Sequence, residues 1–155
     1  MKISYKGDYA IKALVLLSTK YDPNNVDSYC QLSEISKTQD IPLKFLEQIL
    51  LILRNAGYIR SRRGANGGYA LAKAPATITL GEIIRLTDGS TAPIACVSKS
   101  CYQYCNFEKK CVLKPIWEEV REKISDVIDN ITFFDLSMKQ KVIDETVQNK
   151  EMYFI

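Results

Sequence analysis

IPLKFLEQILLILRNAGYIRSRRGANGGYALAK, residues 41–73, reads as a helix running into a short two-stranded hairpin. From Pro42 to Arg54 the apolar residues Leu43, Leu46, Ile49, Leu50 and Leu53 recur at three- and four-residue spacing, which makes one buried helical stripe with a polar face opposite. Pro42 has the fixed φ and missing donor that suit a first helical turn, and Gly57 follows the last apolar position as a helix-ending residue should. Beyond it, Tyr58-Ile59-Arg60-Ser61-Arg62 and Gly68-Tyr69-Ala70-Leu71-Ala72 read as paired strands joined through Gly64-Ala65-Asn66-Gly67. A hairpin placed there is a wing.

Charge separates this unit from an ordinary helix and hairpin. Arg54, Arg60, Arg62, Arg63 and Lys73 lie in an interval that contains no Asp or Glu. A base-reading helix followed by a basic hairpin is how a winged helix-turn-helix meets DNA, the helix in the major groove and the wing along phosphate or in the minor groove. On charge alone, a solvated basic hairpin fits equally well.

The chain has 155 residues and a formal net charge of +3, enough length for a real core but only a mildly basic balance, so the clustering of charge rather than its total points to a polyanion. No apolar run approaches a membrane span, and MKISYKGDYAIKALVLLS lacks a small-residue cleavage pattern, so a cytoplasmic protein with no membrane partner is expected. In a reducing cytosol, five cysteines point to metal binding or redox chemistry rather than structural disulfides.

Upstream, Asp8 to Thr19 reads as a core helix with Ala10, Ala13, Leu14 and Leu17 on one face, and a second helix follows at about Leu32 to Thr38. Asp40-Ile41-Pro42 is then the turn of a helix-turn-helix. Cys30, far from the other cysteines, reads as a buried small side chain. Downstream, Thr79-Leu80-Gly81-Glu82 fits a capping box opening a short helix that ends at Asp88-Gly89.

The chemistry follows, in CVSKSCYQYCNFEKKC. Cys96, Cys101, Cys105 and Cys111 fall within sixteen residues, with gaps of four, three and five. A zinc knuckle usually has a two-residue gap between paired cysteines, so zinc is the less natural occupant, whereas thiolates on an irregular loop suit an iron-sulfur cluster. The chain has no histidine, so any ligand set is all cysteine, or cysteine completed by a carboxylate or a small molecule. From Pro115 one long helix is expected, with Trp117, Val120, Ile124, Val127 and Ile131 as a heptad-like seam and charged outer positions.

LKFLEQILLILRNAGYIRSRRGANGGYALAKAP, followed by ITLGEIIRLTDGS and a cysteine cluster running into CVLKPIW, resembles the IscR and NsrR family of bacterial winged-helix transcription regulators over about Tyr5 to Leu136. The resemblance implies a mainly α fold with a small β-hairpin wing. It divides the chain into a winged helix-turn-helix DNA-binding domain over 1–90, a cluster-binding loop over 91–112, a dimerisation helix over 113–136 and a C-terminal tail over 137–155. Lys44, Glu47 and Gln48 match the positions that face base edges. Gln48 suits adenine and Glu47 a cytosine amine, while Lys44 meets base or phosphate. Arg63 matches the wing arginine that enters the minor groove, with Arg62 adding backbone contacts.

In the family a three-cysteine loop holds the cluster, and Cys96, eight residues past Asp88, with Cys105 and Cys111 match those three. Either Cys101 is the fourth ligand, or it is a spare thiol while a carboxylate such as Asp8, from the partner subunit, completes the set. Lys114 stands where another branch has a histidine ligand, so that branch's coordination is not retained.

The function implied is a homodimeric, non-enzymatic repressor or activator. It binds a double-stranded operator and senses iron-sulfur status, redox state or nitric oxide through a [2Fe–2S] or [4Fe–4S] cluster. Two alternatives stand beside it: a regulator of the same fold without a cluster, controlled by zinc, thiol oxidation or a metabolite or protein effector, and, further off, a redox electron carrier. Thr132 to Ile155 is expected to continue the helix with Phe133, Phe134 and Leu136, returning onto the dimer, and its ending KEMYFI has no assigned role.

Overall fold

Leu14, with Ala10 and Ala13, is wholly excluded from solvent at the centre of the fold, on a helix against which most of the other helices pack. A computed structural model describes residues 2–25 and 28–152. That central helix, α1, spans Tyr5–Thr19. It begins three residues before the sequence pattern suggests, because the Ser4 hydroxyl accepts from the Gly7 amide at 3.1 Å and caps it. Ser4 in turn gives its backbone N–H (3.1 Å) and its hydroxyl to the Asp88 carboxylate.

Helices α2 (Leu32–Gln39) and α3 (Leu43–Asn55) form the helix-turn-helix. Asp40 turns the chain between them in a left-handed conformation with φ 51°, which a short polar side chain tolerates. Ile35, Ile41, Leu46, Leu50 and Leu53 then meet α1 in one core. The α3 stripe is therefore as read except for Leu43, which is 50% exposed at the first turn, where the core has already curved away. The face opposite is not purely polar either: Phe45 and Leu51 are 58% and 48% exposed. Gly57, at φ 77°, ends α3 in the conformation that L side chains resist.

Strands β1 (Ile59–Arg62) and β2 (Gly68–Leu71) pair antiparallel, Ile59 opposite Leu71 and Arg62 opposite Gly68. Cys30 adds a one-residue third strand: its N–H donates to the Tyr69 carbonyl at 2.9 Å, and the Tyr69 N–H donates back at 2.8 Å. Gly68 is required there, since its φ is 146° and a Cβ would meet the Cys30 carbonyl. Helix α4 (Leu80–Asp88) opens with the expected capping box, the Glu82 amide donating to Thr79 Oγ1 at 3.2 Å and the Thr79 amide to Glu82 Oε2 at 2.8 Å. Among the described residues no helix is long and apolar enough to cross a membrane.

The expectation of one continuous helix over 113–136 needs correcting. Helix α5 spans Lys114–Asp129, the chain turns at Asn130-Ile131-Thr132, and α6 spans Phe133–Met152. A second capping box makes the break: the Thr132 amide donates to Asp135 Oδ2 at 2.9 Å and the Asp135 amide to Thr132 Oγ1 at 3.2 Å. The turn is stitched to the start of α4 and the residues leading into it, because the Leu80 N–H reaches the Ile131 carbonyl and the Phe133 N–H the Ile78 carbonyl, both at 2.9 Å. Phe133 thereby enters the core, fully buried, and α6 lies against α1 instead of extending the α5 seam. Arg85 of α4 forks onto Asp129 at the end of α5, at 2.6–2.8 Å. The last residues of KEMYFI, 153–155, lie outside the described residues.

Candidate functional site

Lys44, Glu47 and Gln48 are all exposed on α3, at spacings that share one side of the helix. Arg62 ends β1, Arg63 follows it, and both are exposed. A groove of about 650 Å³ runs between α3 and the wing, lined by Leu43 and Arg54 on one side and Arg62 and Arg63 on the other. The structure thus brings the wing arginines beside the flank of α3. Lys44 and Glu47 lie on the helix outside that groove, and Gln48 lines a separate cavity facing α1.

The segment preceding α2 buttresses the wing. The Arg62 guanidinium lies 4.3 Å from the centre of the Tyr29 ring, with Arg60 at 5.6 Å. Arg62 Nη2 also donates to the Asn66 carbonyl at 2.9 Å, and Gln31 Nε2 to the Ala65 carbonyl at 3.2 Å. Arg54 Nη1 ties α3 to β1 through Ser61 Oγ at 3.3 Å. Sequence reasoning missed Tyr29 and Gln31. Gln31 and Ala65 are 34 positions apart, a separation at which no spacing rule operates.

Cys30 is structural, as read. Its side chain is 2% exposed, and burial, with a smaller contribution from Glu34, pushes its thiol up to about 12 from 9.0. Since the folded-state value is the higher one, the thiol contributes no pH dependence below about 9, and stability falls as pH rises from about 9 to about 12, where only the unfolded chain ionises readily. Alkylation by iodoacetamide at neutral pH, followed by peptide mass spectrometry, is expected to label the exposed Cys101 and to spare Cys30 until the protein is denatured. Labelling of Cys30 at the Cys101 rate would contradict its burial.

Between α4 and α5 runs the cysteine loop, anchored at both ends. Short 3-10 turns at Ala95–Val97 and Glu108–Lys110 hold Cys96 and precede Cys111. Val97 is buried, and its carbonyl accepts from Arg121 Nη1 of α5 at 2.5 Å. Ser98 Oγ accepts the Cys101 amide at 2.9 Å. At the far end Glu108 takes the Tyr102 hydroxyl at 2.6 Å and Lys114 Nζ at 2.5 Å, contacts that hold its carboxyl below the usual range, the lysine contributing most. Lys114 is thereby committed to an ion pair.

Cys96, Cys105 and Cys111 are half-buried and Cys101 is exposed. Among the described residues no three cysteine, aspartate or glutamate side chains are gathered closely enough to hold a metal ion. Asp8, the alternative fourth ligand, lies in the first turn of α1 and pairs with Lys12 at 2.7 Å. The donor set, four soft thiols on one loop, suits iron in chemical type, and closing around a cluster would require the loop to draw its thiols together.

A helix-turn-helix carrying an acid-free basic wing, with a thiol loop inserted before its last two helices, defines a winged-helix DNA-binding protein. A family model described as "Rrf2: Iron-dependent Transcriptional regulator" matches residues 3–139. The chain belongs to the Rrf2 family of transcriptional regulators. It is 37% identical over 137 residues to an rrf2-like HTH-type regulator of Rhodobacter capsulatus, covering 86% of this chain and 91% of that protein. It is 32% identical over 144 residues to the HTH-type transcriptional regulator IscR of Klebsiella pneumoniae, covering 93% and 84%. The structure of CymR, the global cysteine regulator of Bacillus subtilis, superposes with a TM-score of 0.75 at 32% identity, covering 90% of this chain and 98% of that one. The protein is a DNA-binding transcription regulator and not an enzyme.

Proposed function

We propose that two copies of the chain bind a two-fold operator through α3 and the wing, and that the Cys96–Cys111 loop holds an iron-sulfur cluster whose state sets operator affinity. The observation that carries this reading is the position of the loop. It follows α4 of the DNA-binding domain after the short segment 89–95 and is clamped to α5 through Arg121 and Lys114, so a rearrangement of its thiols would bear on both. Cys96, Cys105 and Cys111 would bind the cluster, with Cys101 or a carboxylate such as Asp8 in the fourth place. A bound cluster supplies iron that reacts with oxidants or nitric oxide.

Dimerisation is supported by apolar surface that the single chain leaves open. On α5 only Ile128 is buried, while Ile116 and Val127 are 52% and 59% exposed; on α6, Phe134, Met138, Val142, Ile143 and Val147 are each 46–61% exposed. A two-fold dimer would set two copies of α3 on successive turns of the major groove.

At the wing, Arg62 is held over Tyr29, and Arg63 beyond it is exposed. Tyr29→Leu is therefore expected to weaken operator binding by about two- to tenfold, and Tyr29→Phe by less than about twofold, because phenylalanine keeps the ring face that attracts the guanidinium. Titration of labelled operator DNA measures both, and equal losses would show that the ring face is not what matters.

The second reading is a regulator without a cluster, controlled by thiol oxidation, zinc or another effector. It is favoured by the separation of the thiols and by the likeness to the cysteine regulator of Bacillus subtilis. Anaerobic purification with an absorption spectrum and assays of iron, zinc and acid-labile sulfide decides between them. A chromophore with matching iron and sulfide, lost on substituting Cys96, Cys105 or Cys111, supports the cluster. Colourless protein that cannot be reconstituted yet binds DNA supports the second reading. Coupling further requires that loaded and unloaded protein differ in operator affinity, since a ligand shifts only an equilibrium to which it binds unequally.

A further inference from the structure

Between the start of α1 and the exposed side of α3 lies a cavity of about 410 Å³, walled by Tyr5, Tyr9, Phe45, Ile49 and Ile52, with Lys6 and Gln48 as its polar members. Its size is that of small-molecule sites, and so is its make-up of apolar walls with a few polar groups. The Tyr5 and Tyr9 rings are tilted 43° to one another at 6.2 Å, leaving their faces and edges as an aromatic wall rather than a closed stack. Phe45, opposite, is more than half exposed. Phe45 stands outside the buried core.

Among the residues that line the cavity, Lys6 alone is charged, and the exposed Glu47 next to Gln48 stands outside the lining. Asp8, the nearest acid along α1, is paired with Lys12 on the next turn. Lys6 makes no ion pair among the described residues. An unpaired ammonium beside an aromatic wall complements an anion carried on a flat apolar body, and the Gln48 amide can donate a second hydrogen bond to it.

We propose that this cavity is a binding site for a small aromatic carboxylate. The rings and isoleucines take the body, and Lys6 and Gln48 take the carboxylate. Because Gln48 also belongs to the exposed set of α3, an occupant lies against the helix that meets DNA and competes with it there. That last step rests on the operator-reading role proposed for α3; binding to the cavity does not, and it is measured without DNA.

The probe is naphthalene-2-carboxylate, followed by its fluorescence, with the neutral naphthalene-2-carboxamide as its partner. Saturable binding of one carboxylate per chain is expected, with the amide about tenfold weaker or more, as loss of a charge-assisted contact implies. Lys6→Gln is expected to bring the acid down to the amide and leave the amide unchanged. Phe45→Ala, at an exposed position where folding is not at stake, is expected to weaken both. No saturable binding by the wild type, or an acid affinity indifferent to Lys6→Gln, overturns the site. In a gel shift, the carboxylate is expected to weaken operator binding by wild type but not by Lys6→Gln. Correct binding with unaltered operator affinity overturns the competition while the site stands.

Discussion

Replacing Phe133 by alanine is expected to destabilise the protein by about 3–5 kcal/mol, a large share of the roughly 5–15 kcal/mol that holds a domain together. The ring is wholly buried, at the point where α6 returns from α5 to the central helix. Its backbone N–H is fixed to the Ile78 carbonyl at 2.9 Å, so the chain cannot slide to refill the space. Loss of the ring would leave a cavity bordered by α1 and the residues entering α4. Phe134, the next residue, is the natural control, being 47% exposed in the single chain. Urea unfolding over a range of protein concentrations separates the two. The Phe133→Ala loss should persist at every concentration, whereas, in the proposed dimer, any loss from Phe134→Ala should grow with protein concentration, because a dimer contact stabilises by mass action. A cost below about 1 kcal/mol for Phe133→Ala would show that α6 does not depend on this anchor.

The same residue marks where sequence reasoning stopped. Pro42, Gly57 and the Thr79–Glu82 box delimit their elements by local chemistry, and those elements stand where the pattern puts them. Between Trp117 and Ile131, by contrast, a heptad-like recurrence of apolar residues outweighed a quieter local signal, Thr132-Phe133-Phe134-Asp135, which is itself a capping pattern. Periodicity says which residues share a face. It does not say whether a helix continues, and Ile131 proved to lie in the turn. Phe45 and Leu51 were hidden for a related reason: the stripe that identifies a helix's buried face leaves its other apolar residues unexplained. Clustered cysteines advertise chemistry by composition alone, but the distances among their thiols depend on anchors such as Arg121 on Val97 and Lys114 on Glu108, made across the loop.

Gln48→Ala is expected to lower operator affinity by about thirtyfold to more than a thousandfold. With Gln48 as a base reader in the proposed two-fold dimer, one base contact is worth about 1–3 kcal/mol and would be lost at both half-sites, about 2–6 kcal/mol in all. The operator is first found by selecting wild-type binders from random duplexes. Losing a base reader should do more than weaken binding: at one position in each half-site the variant should accept all four base pairs nearly equally. Arg63→Ala should behave differently. A wing arginine in the minor groove senses groove width, so its removal should cost most on operators with A·T-rich flanks and should flatten the dependence on salt by about one ion per half-site. Operators with one half-site scrambled test the two-fold arithmetic, since a substitution on the surviving half should then cost only its single-site amount. If Gln48→Ala and Arg63→Ala each changed affinity less than about twofold on the selected operator, α3 and the wing would not be the reading surface. The exposed residues of α3 would then be free to serve the neighbouring cavity alone.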